Sequence, residues 1–188
     1  MPPVTRPTVR PVRAEEWREV KALRLLALRD PAAPIAFLET YEEAAARPDD
    51  FYRQRAEGAS HGTGARQFVA EDGDGSWVGS VTVLVEEAGR DDFFGHRVER
   101  RQAQLVGVYL RPEHRGTGVL DALVSAAVAW AWSDPAITRV RLHVHESNAR
   151  AAGAYRRLGF VASGVTLPTE ADPALVEREL VLARPTAP

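Results

Sequence analysis

The sequence predicts an α/β fold, in the α+β sense of a mixed β-sheet flanked by helices, and three stretches carry the prediction. Residues 77–85, Trp-Val-Gly-Ser-Val-Thr-Val-Leu-Val, are dense in β-branched side chains, as a central strand requires. Residues 119–132 are apolar nearly all round, broken chiefly by Asp121 and Ser125, which marks a helix buried against a sheet. That helix joins a strand at 102–110 to an alternating strand at 138–145, with Val140, Leu142 and Val144 on one face and Arg139, Arg141, His143 and His145 on the other. A strand–helix–strand unit of this kind implies parallel pairing and a right-handed crossover.

The remaining elements follow in chain order. Residues 1–7 are proline-rich and expected to be loose, and residues 8–13 read as a short edge strand, a position that Pro11 tolerates. Residues 14–30 form a helix with an apolar stripe of Trp17, Val20, Leu23, Leu25, Leu26 and Leu28. Glu15 and Glu16 sit in its first turn, where the dipole favours them, and Asp30-Pro31 ends it. A second helix is expected over 39–47 and a short third one over 49–57, followed by a Gly/Ser/His loop at 58–64. Phe37 and Tyr41, four residues apart, either pack a helix onto the sheet or line a pocket. Strands at 66–70 and 77–85 flank the turn residues 71–75. The charged run 86–101 reads as a solvated loop, although Phe93-Phe94 inside it is suited to cover a substrate or meet a partner. Asn148 opens a helix that Gly159 closes, and residues 160–165 and 175–182 form a last pair of strands around a Pro/Asp loop. Residues 183–188 are expected to fray.

Composition narrows the classes of function. A chain of 188 residues suits one domain, so 1–188 is expected to be a single unit. The net charge of −2 argues against a general nucleic-acid binder. Without cysteine there is no disulfide framework, thiolate metal site or cysteine nucleophile, which fits a cytoplasmic location. No apolar run approaches the ~18 residues of a membrane span, and residues 1–13 lack the apolar core of a signal peptide. His143 and His145 share a strand face but have no evident third ligand, so no metal is expected.

The chemistry concentrates in Val108-Tyr109-Leu110-Arg111-Pro112-Glu113-His114-Arg115-Gly116-Thr117-Gly118-Val119-Leu120: a strand, a basic glycine turn, and the start of the apolar helix. Two glycines let the backbone turn sharply and bring its N–H groups close to a bulky anion. The helix N-terminus adds free donors and a positive dipole end, and Arg115 adds a full charge, so the loop suits a phosphate or pyrophosphate. It is not a P-loop, since no Gly-Lys-Ser/Thr follows. It is not a dinucleotide fingerprint either, since Asp121 stands where a third Gly or Ala belongs.

Arg115-Gly116-Thr117-Gly118-Val119, after a strand and Pro112, resembles the acetyl-CoA pyrophosphate loop of the GNAT superfamily of N-acetyltransferases. Asn148-Ala149-Arg150-Ala151-Ala152-Gly153-Ala154-Tyr155-Arg156-Arg157-Leu158-Gly159-Phe160 is similar to that family's Asn-x-x-Ala…Tyr…Gly-Phe segment, in the right order and at a suitable distance. The likeness spans about 104–161, and Leu120 departs from it by standing where the family has Gly or Ala. The resemblance implies a centrally splayed sheet and acetyl-CoA as cosubstrate, bound by the backbone of Val108, Tyr109 and Leu110, by Arg115 through Leu120, by Asn148 and by Tyr155.

It also implies transfer of acetyl to a primary amine of a small-molecule or peptide acceptor, with Tyr155 as general acid toward the leaving thiolate. Asn148 serves equally well as a plain helix cap. The general base stays open among Glu99, His143, His145, Glu146 and a water held by Gln104. A non-catalytic acyl-CoA sensor of the same fold is the rival reading, and a homodimer through the last strands is an analogy only.

Overall fold

The computed structural model describes residues 6–169 and 175–186. The looseness expected at the first five residues, most of the Pro/Asp loop before the last strand, and the final two residues lie outside the described residues.

Seven strands form one sheet: β1 (Thr8–Pro11), β2 (Ala65–Glu71), β3 (Trp77–Glu86), β4 (Gln102–Leu110), β5 (Arg139–His145), β6 (Val161–Pro168) and β7 (Val176–Ala183), in the spatial order β1-β2-β3-β4-β5-β7-β6. Every neighbouring pair is antiparallel except β4 and β5, which are parallel. The single parallel pair is the one joined by helix α4 (Val119–Ala131), as the crossover rule requires. The other helices are α1 (Trp17–Ala27), α2 (Tyr41–Ala46), α3 (Asp49–His61) and α5 (Ala149–Arg157), here numbered with α4 in chain order.

Strand alternation divides the interior into two cores. Phe68 and Ala70 of β2 join Val81, Val83, Leu105, Val140 and Leu142 under Leu123, Val124, Ala127 and Val128 of α4, together with Tyr155 and Phe160. Val69 points the other way and meets Trp17, Val20, Leu23 and Ala27 of α1, Tyr52 and Ala56 of α3, and Trp77 and Tyr109. Leu123 is fully buried, and each such side chain stabilises the fold by roughly 1.5–3 kcal/mol.

Local signals set most boundaries, and tertiary contacts shift several. The first helix is shorter than 14–30: residues Ala14–Glu16 form a 3₁₀ turn and Leu28 caps α1. The second starts at Tyr41 because Thr40 and Glu43 form a reciprocal capping box. The third runs on to His61, through most of the loop expected at 58–64, because Ala59 and Ser60 are buried there. The tail does not fray at its start: Ala183 ends β7, the Arg184 N–H donates to Thr138 O at 2.8 Å, and its guanidinium donates to the carbonyls of Trp132 and Asp134.

The charged run 86–101 differs most from expectation. Asp91 and Arg97 pair as a bridge, Val98 is buried, and the Asp92 side chain is only 3% exposed because it accepts from Arg141 Nη2 at 2.7 Å. Phe94 packs edge-on against His143 with ring centroids 4.8 Å apart, while Phe93 is 76% exposed. The sequence shows these charges but not their partner, which comes from β5, about fifty residues on.

Candidate active site

The parallel ladder between β4 and β5 has two registered positions, Ala103 opposite Val140 and Gln104 opposite Arg141, and beyond them the strands part. On its other side β4 is bulged. Ser80 faces Tyr109 and Thr82 faces Val106, so two residues of β4 stand against one of β3, and Gly107 there has φ +60°. A bulge adds twist and bends its strand, and this one sits beside the fork. A cleft of about 1200 Å³ occupies the fork. Val108, Tyr109, Leu110, Arg115, Gly116, Gly118, Leu120, Asn148 and Tyr155 all line it, so residues from both sequence segments meet in one place.

At one end of the cleft the glycine loop meets the N-terminus of α4. Gly116 and Gly118 take φ +77° and +85°, left-handed conformations that glycine adopts without strain. Among the described residues, the backbone N–H groups of Gly116, Thr117, Gly118, Val119, Leu120 and Asp121 find no acceptor, and the ladder begins with Ala122 N–H to Gly118 O. Six free donors on one turn and a helix dipole form an anion cradle. The Val119 side chain is buried in the α4 core and the Thr117 hydroxyl donates to His114 O, so these two residues offer backbone rather than side chains.

Arg115 is committed elsewhere. Its Nε donates to Leu110 O at 3.1 Å and its Nη2 pairs with Asp30, whose side chain is 5% exposed. Burial alone would raise the Asp30 carboxyl, but the Ala32 N–H and Arg115 hold it below its ordinary value. Arg115 therefore clasps the loop to the end of α1 instead of offering a free charge. Arg150 faces the cleft, and the Arg6 guanidinium lies beside Gly118.

Asn148 caps α5: its Oδ1 accepts from Ala151 N–H at 3.2 Å, while its amide nitrogen has no partner among the described residues. Tyr155 is buried against Phe160, with centroids 6.0 Å apart, and its hydroxyl has no hydrogen-bond partner among the described residues. Burial pushes its pKa well above the ordinary 10, so the phenol stays neutral and keeps its proton.

The proton-acceptor candidates separate by position. Glu99 is exposed and borders a second, smaller cavity instead of the cleft. Glu146 is spent on Val176 N–H at 3.0 Å and Arg178 at 3.3 Å. Gln104, His143 and His145 line the cleft. Gln104 Nε2 lies 3.4 Å from His143 Nδ1, and burial together with the Arg141 charge pushes His143 down to about 4, so it is neutral at pH 7. His145 Nδ1 accepts from Ser147 N–H at 3.1 Å.

Glu177, absent from the candidates read in the sequence, stands opposite His145, lines the cleft, and has no ion-pair partner among the described residues. Burial raises its carboxyl above the ordinary range, with His145 as a smaller opposing influence. The signal was the i, i+2 spacing of Glu177 and Glu179, but only the strand register puts Glu177 at the fork. On the α1 side, Phe37 lines the cleft. Tyr41 does not, since its ring lies under Arg29 at 4.2 Å.

A mixed sheet that forks over a glycine-rich helix N-terminus defines an acyl-group transferase fold, and the sequence agrees. Residues 23–160 match the acetyltransferase (GNAT) family, and the chain belongs to it. Solved structures share the fold. A GCN5-related N-acetyltransferase from Kribbella flavida aligns with a TM-score of 0.67 at 20% identity over 94% of this chain and 97% of that one. A chimera of the Vibrio cholerae spermidine N-acetyltransferase SpeG and hSSAT gives 0.65 at 18% identity over 95% and 96%. Arabidopsis thaliana NAA60 in complex with acetyl-CoA gives 0.67 at 18% over 94% and 97%. Among the described residues no helix is long and apolar enough to cross a membrane.

Proposed function

We propose that the chain is an N-acetyltransferase that moves the acetyl group of acetyl-CoA directly to a primary amine of a small-molecule or peptide acceptor. The observation that carries this reading is the fork itself, with six unpaired N–H groups at one end and a buried neutral phenol in its wall. Acetyl-CoA fits these features: the N–H groups of residues 116–121 suit its pyrophosphate, the open edge of Val108, Tyr109 and Leu110 suits the amides of its pantetheine arm, and the free Asn148 amide adds a donor. Leu120 lines the cleft with a side chain partly packed against the α4 core, and its N–H has no acceptor among the described residues.

When bound, acetyl-CoA supplies an acetyl group already activated as a thioester. The chain's own part is to hold amine and thioester together, accept a proton and donate one. The amine nitrogen bonds to the acetyl carbon as the carbon–sulfur bond breaks. Tyr155 gives its proton to the departing thiolate, and the surplus proton on nitrogen passes to Glu177, whose raised carboxyl is the better base. With no cysteine in the chain, an acyl-cysteine intermediate has no place, which favours direct transfer in a ternary complex.

Thermal unfolding with and without acetyl-CoA tests the binding half. A ligand of the native state at 100 times its dissociation constant adds about 2.7 kcal/mol. Gly118→Val forces a β-branched residue to φ +85° and directs a side chain toward Arg6, and it is expected to abolish that gain. Thiol release with an amine panel tests the chemistry. Binding without thiol release would replace the enzyme by an acyl-CoA sensor.

A further inference from the structure

We propose that the acceptor is a small amine that also carries an oxyanion, a carboxylate or a phosphate, held by Arg55 with Arg24 at the α1–α3 end of the cleft. The inference rests on the acetyl-transfer reading above.

Arg24 from α1, Arg47 just after α2 and Arg55 from α3 line the cleft around one acid, Glu39. That carboxylate is already saturated. Its Oε2 accepts from Arg24 Nε and Nη2 at 3.1 and 3.0 Å, and its Oε1 accepts from Arg47 Nε at 2.6 Å. Arg55 has no ion pair or hydrogen bond among the described residues, and its guanidinium sits 5.4 Å from the centroid of the Phe51 ring. No carboxylate pairs with it among the described residues: Glu39 is held by Arg24 and Arg47, and Glu43 is bound into the Thr40 cap and acts on Arg47. Three arginines against Glu39 and Glu43 leave one positive charge in excess, on the unpaired Arg55.

A cation facing a cleft without a counter-ion is improved by any anion that reaches it, and an arginine fork matches the geometry of carboxylate or phosphate. Arg55 is exposed to the cleft; partial desolvation and the like charge of Arg24 disfavour its cation, against a smaller opposing influence of Glu39. The same cleft reaches the fork over a polar floor of Ser80, Thr82 and Gln104, where the unpaired Glu177 carboxyl waits. The unpaired cation Arg55 and the unpaired carboxyl Glu177 thus line one cleft, an arrangement that seats an amine at the fork and an acid group at Arg55. A polyamine meets the opposite arrangement, since its second ammonium would face Arg55 and its natural partner Glu39 is already taken.

The test compares matched acceptors at saturating acetyl-CoA: amino acids against their amides, phosphoethanolamine against ethanolamine, and spermidine. The expected result is kcat/KM about tenfold or more higher for the anionic member of the preferred pair, with spermidine below both. The carboxylate and phosphate arms tell which oxyanion is used. Arg55→Ala and Arg55→Gln should bring that ratio toward one, by raising KM for the anionic amine far more than lowering its kcat. An intact acetyl-CoA thermal shift would show that each variant is folded. Preference for spermidine or for the neutral amines, or a ratio unmoved by both Arg55 variants, overturns the proposal. Absence of acetyl transfer to every amine by the wild-type protein overturns the transfer reading itself and this inference with it.

Discussion

Tyr155→Phe is expected to lower kcat by about 10²–10⁴, the usual contribution of a positioned proton donor, while the thermal shift with acetyl-CoA stays as in the wild type. The substitution removes one oxygen and leaves the ring, which supplies the packing against Phe160 and the α4 core. The hydroxyl has no hydrogen-bond partner among the described residues, so no buried partner is orphaned by its loss. Loss of a group that acts only in the transition state lowers kcat and kcat/KM together, and that pattern distinguishes chemistry from binding. The pH profile gives a second check. Tyr155 is shifted upward from 10, so its proton is present throughout neutral pH, and any fall in rate between pH 7 and 9 must come from another group. Glu177 must be ionised to accept a proton, and its carboxyl is raised above the ordinary value of 4.5. Activity should therefore rise with pH through a midpoint above that value, and Glu177→Gln should remove the limb. A Tyr155→Phe enzyme with wild-type kcat would return the residue to a purely packing role.

What the sequence discloses about this site depends on whether the signal is local. The glycine turn, the buried helix behind it and the Asn148 cap each rest on residues within a few positions of one another. All three are found where periodicity and capping chemistry put them. The parallel β4–β5 pair follows from chain connectivity through α4. Partners distant in the chain are another matter. Arg115 reads as a free cation until Asp30, eighty-five residues away, is folded against it. Alternation in β5 correctly groups Arg141, His143 and His145 on one face, yet it carries no register, so it could not pair them with Glu179 and Glu177 of β7. For the same reason Glu99, Glu146 and the two histidines looked equivalent as bases, although only the histidines border the cleft.

The end of the cleft proposed to take the acceptor is the least legible in the sequence. Arg24, Glu39, Arg47 and Arg55 come from three helices and the turns between them, and each alone is an ordinary exposed charge on a helical stretch. Their meaning arises from convergence: two of the arginines take up Glu39, and the third has no ion pair among the described residues. Pocket electrostatics of this kind is a property of packing, and pattern matching along the chain does not reach it.

Arg141→Ala is expected to cost about 3–5 kcal/mol of stability at pH 7, because removing one partner of a buried ion cluster leaves its charges uncompensated. The guanidinium holds three acids at once: Glu86 through Nε and Nη2 at 2.9 and 2.8 Å, Asp92 through Nη2 at 2.7 Å, and Glu179 through Nη1 at 2.9 Å. Burial alone would raise Asp92 and Glu179. Arg141 for Asp92, and Ser163 with Arg141 for Glu179, bring both below their ordinary values. Groups depressed in the folded state stabilise it above their unfolded pKa, near 4, and that contribution is lost as pH falls through the lower folded values. Asp92 and Glu179 therefore cost the wild type nothing between pH 7 and 5, where its stability falls only as the His143 imidazole, neutral in the fold, becomes protonated in the unfolded chain. Without Arg141 burial dominates, the acids rise above their unfolded values, and protonation relieves their repulsion. Relative to the wild type, the variant should then regain stability between pH 7 and 5. Urea midpoints at the two pH values decide it: a loss under 1 kcal/mol, or parallel trends in both proteins, would mean that the cluster is not held as a unit. Because Asp92 is also the anchor of the 86–101 loop and Phe94 rests on His143, the same variant should weaken acceptor binding more than acetyl-CoA binding, whose cradle lies at the other end of the cleft.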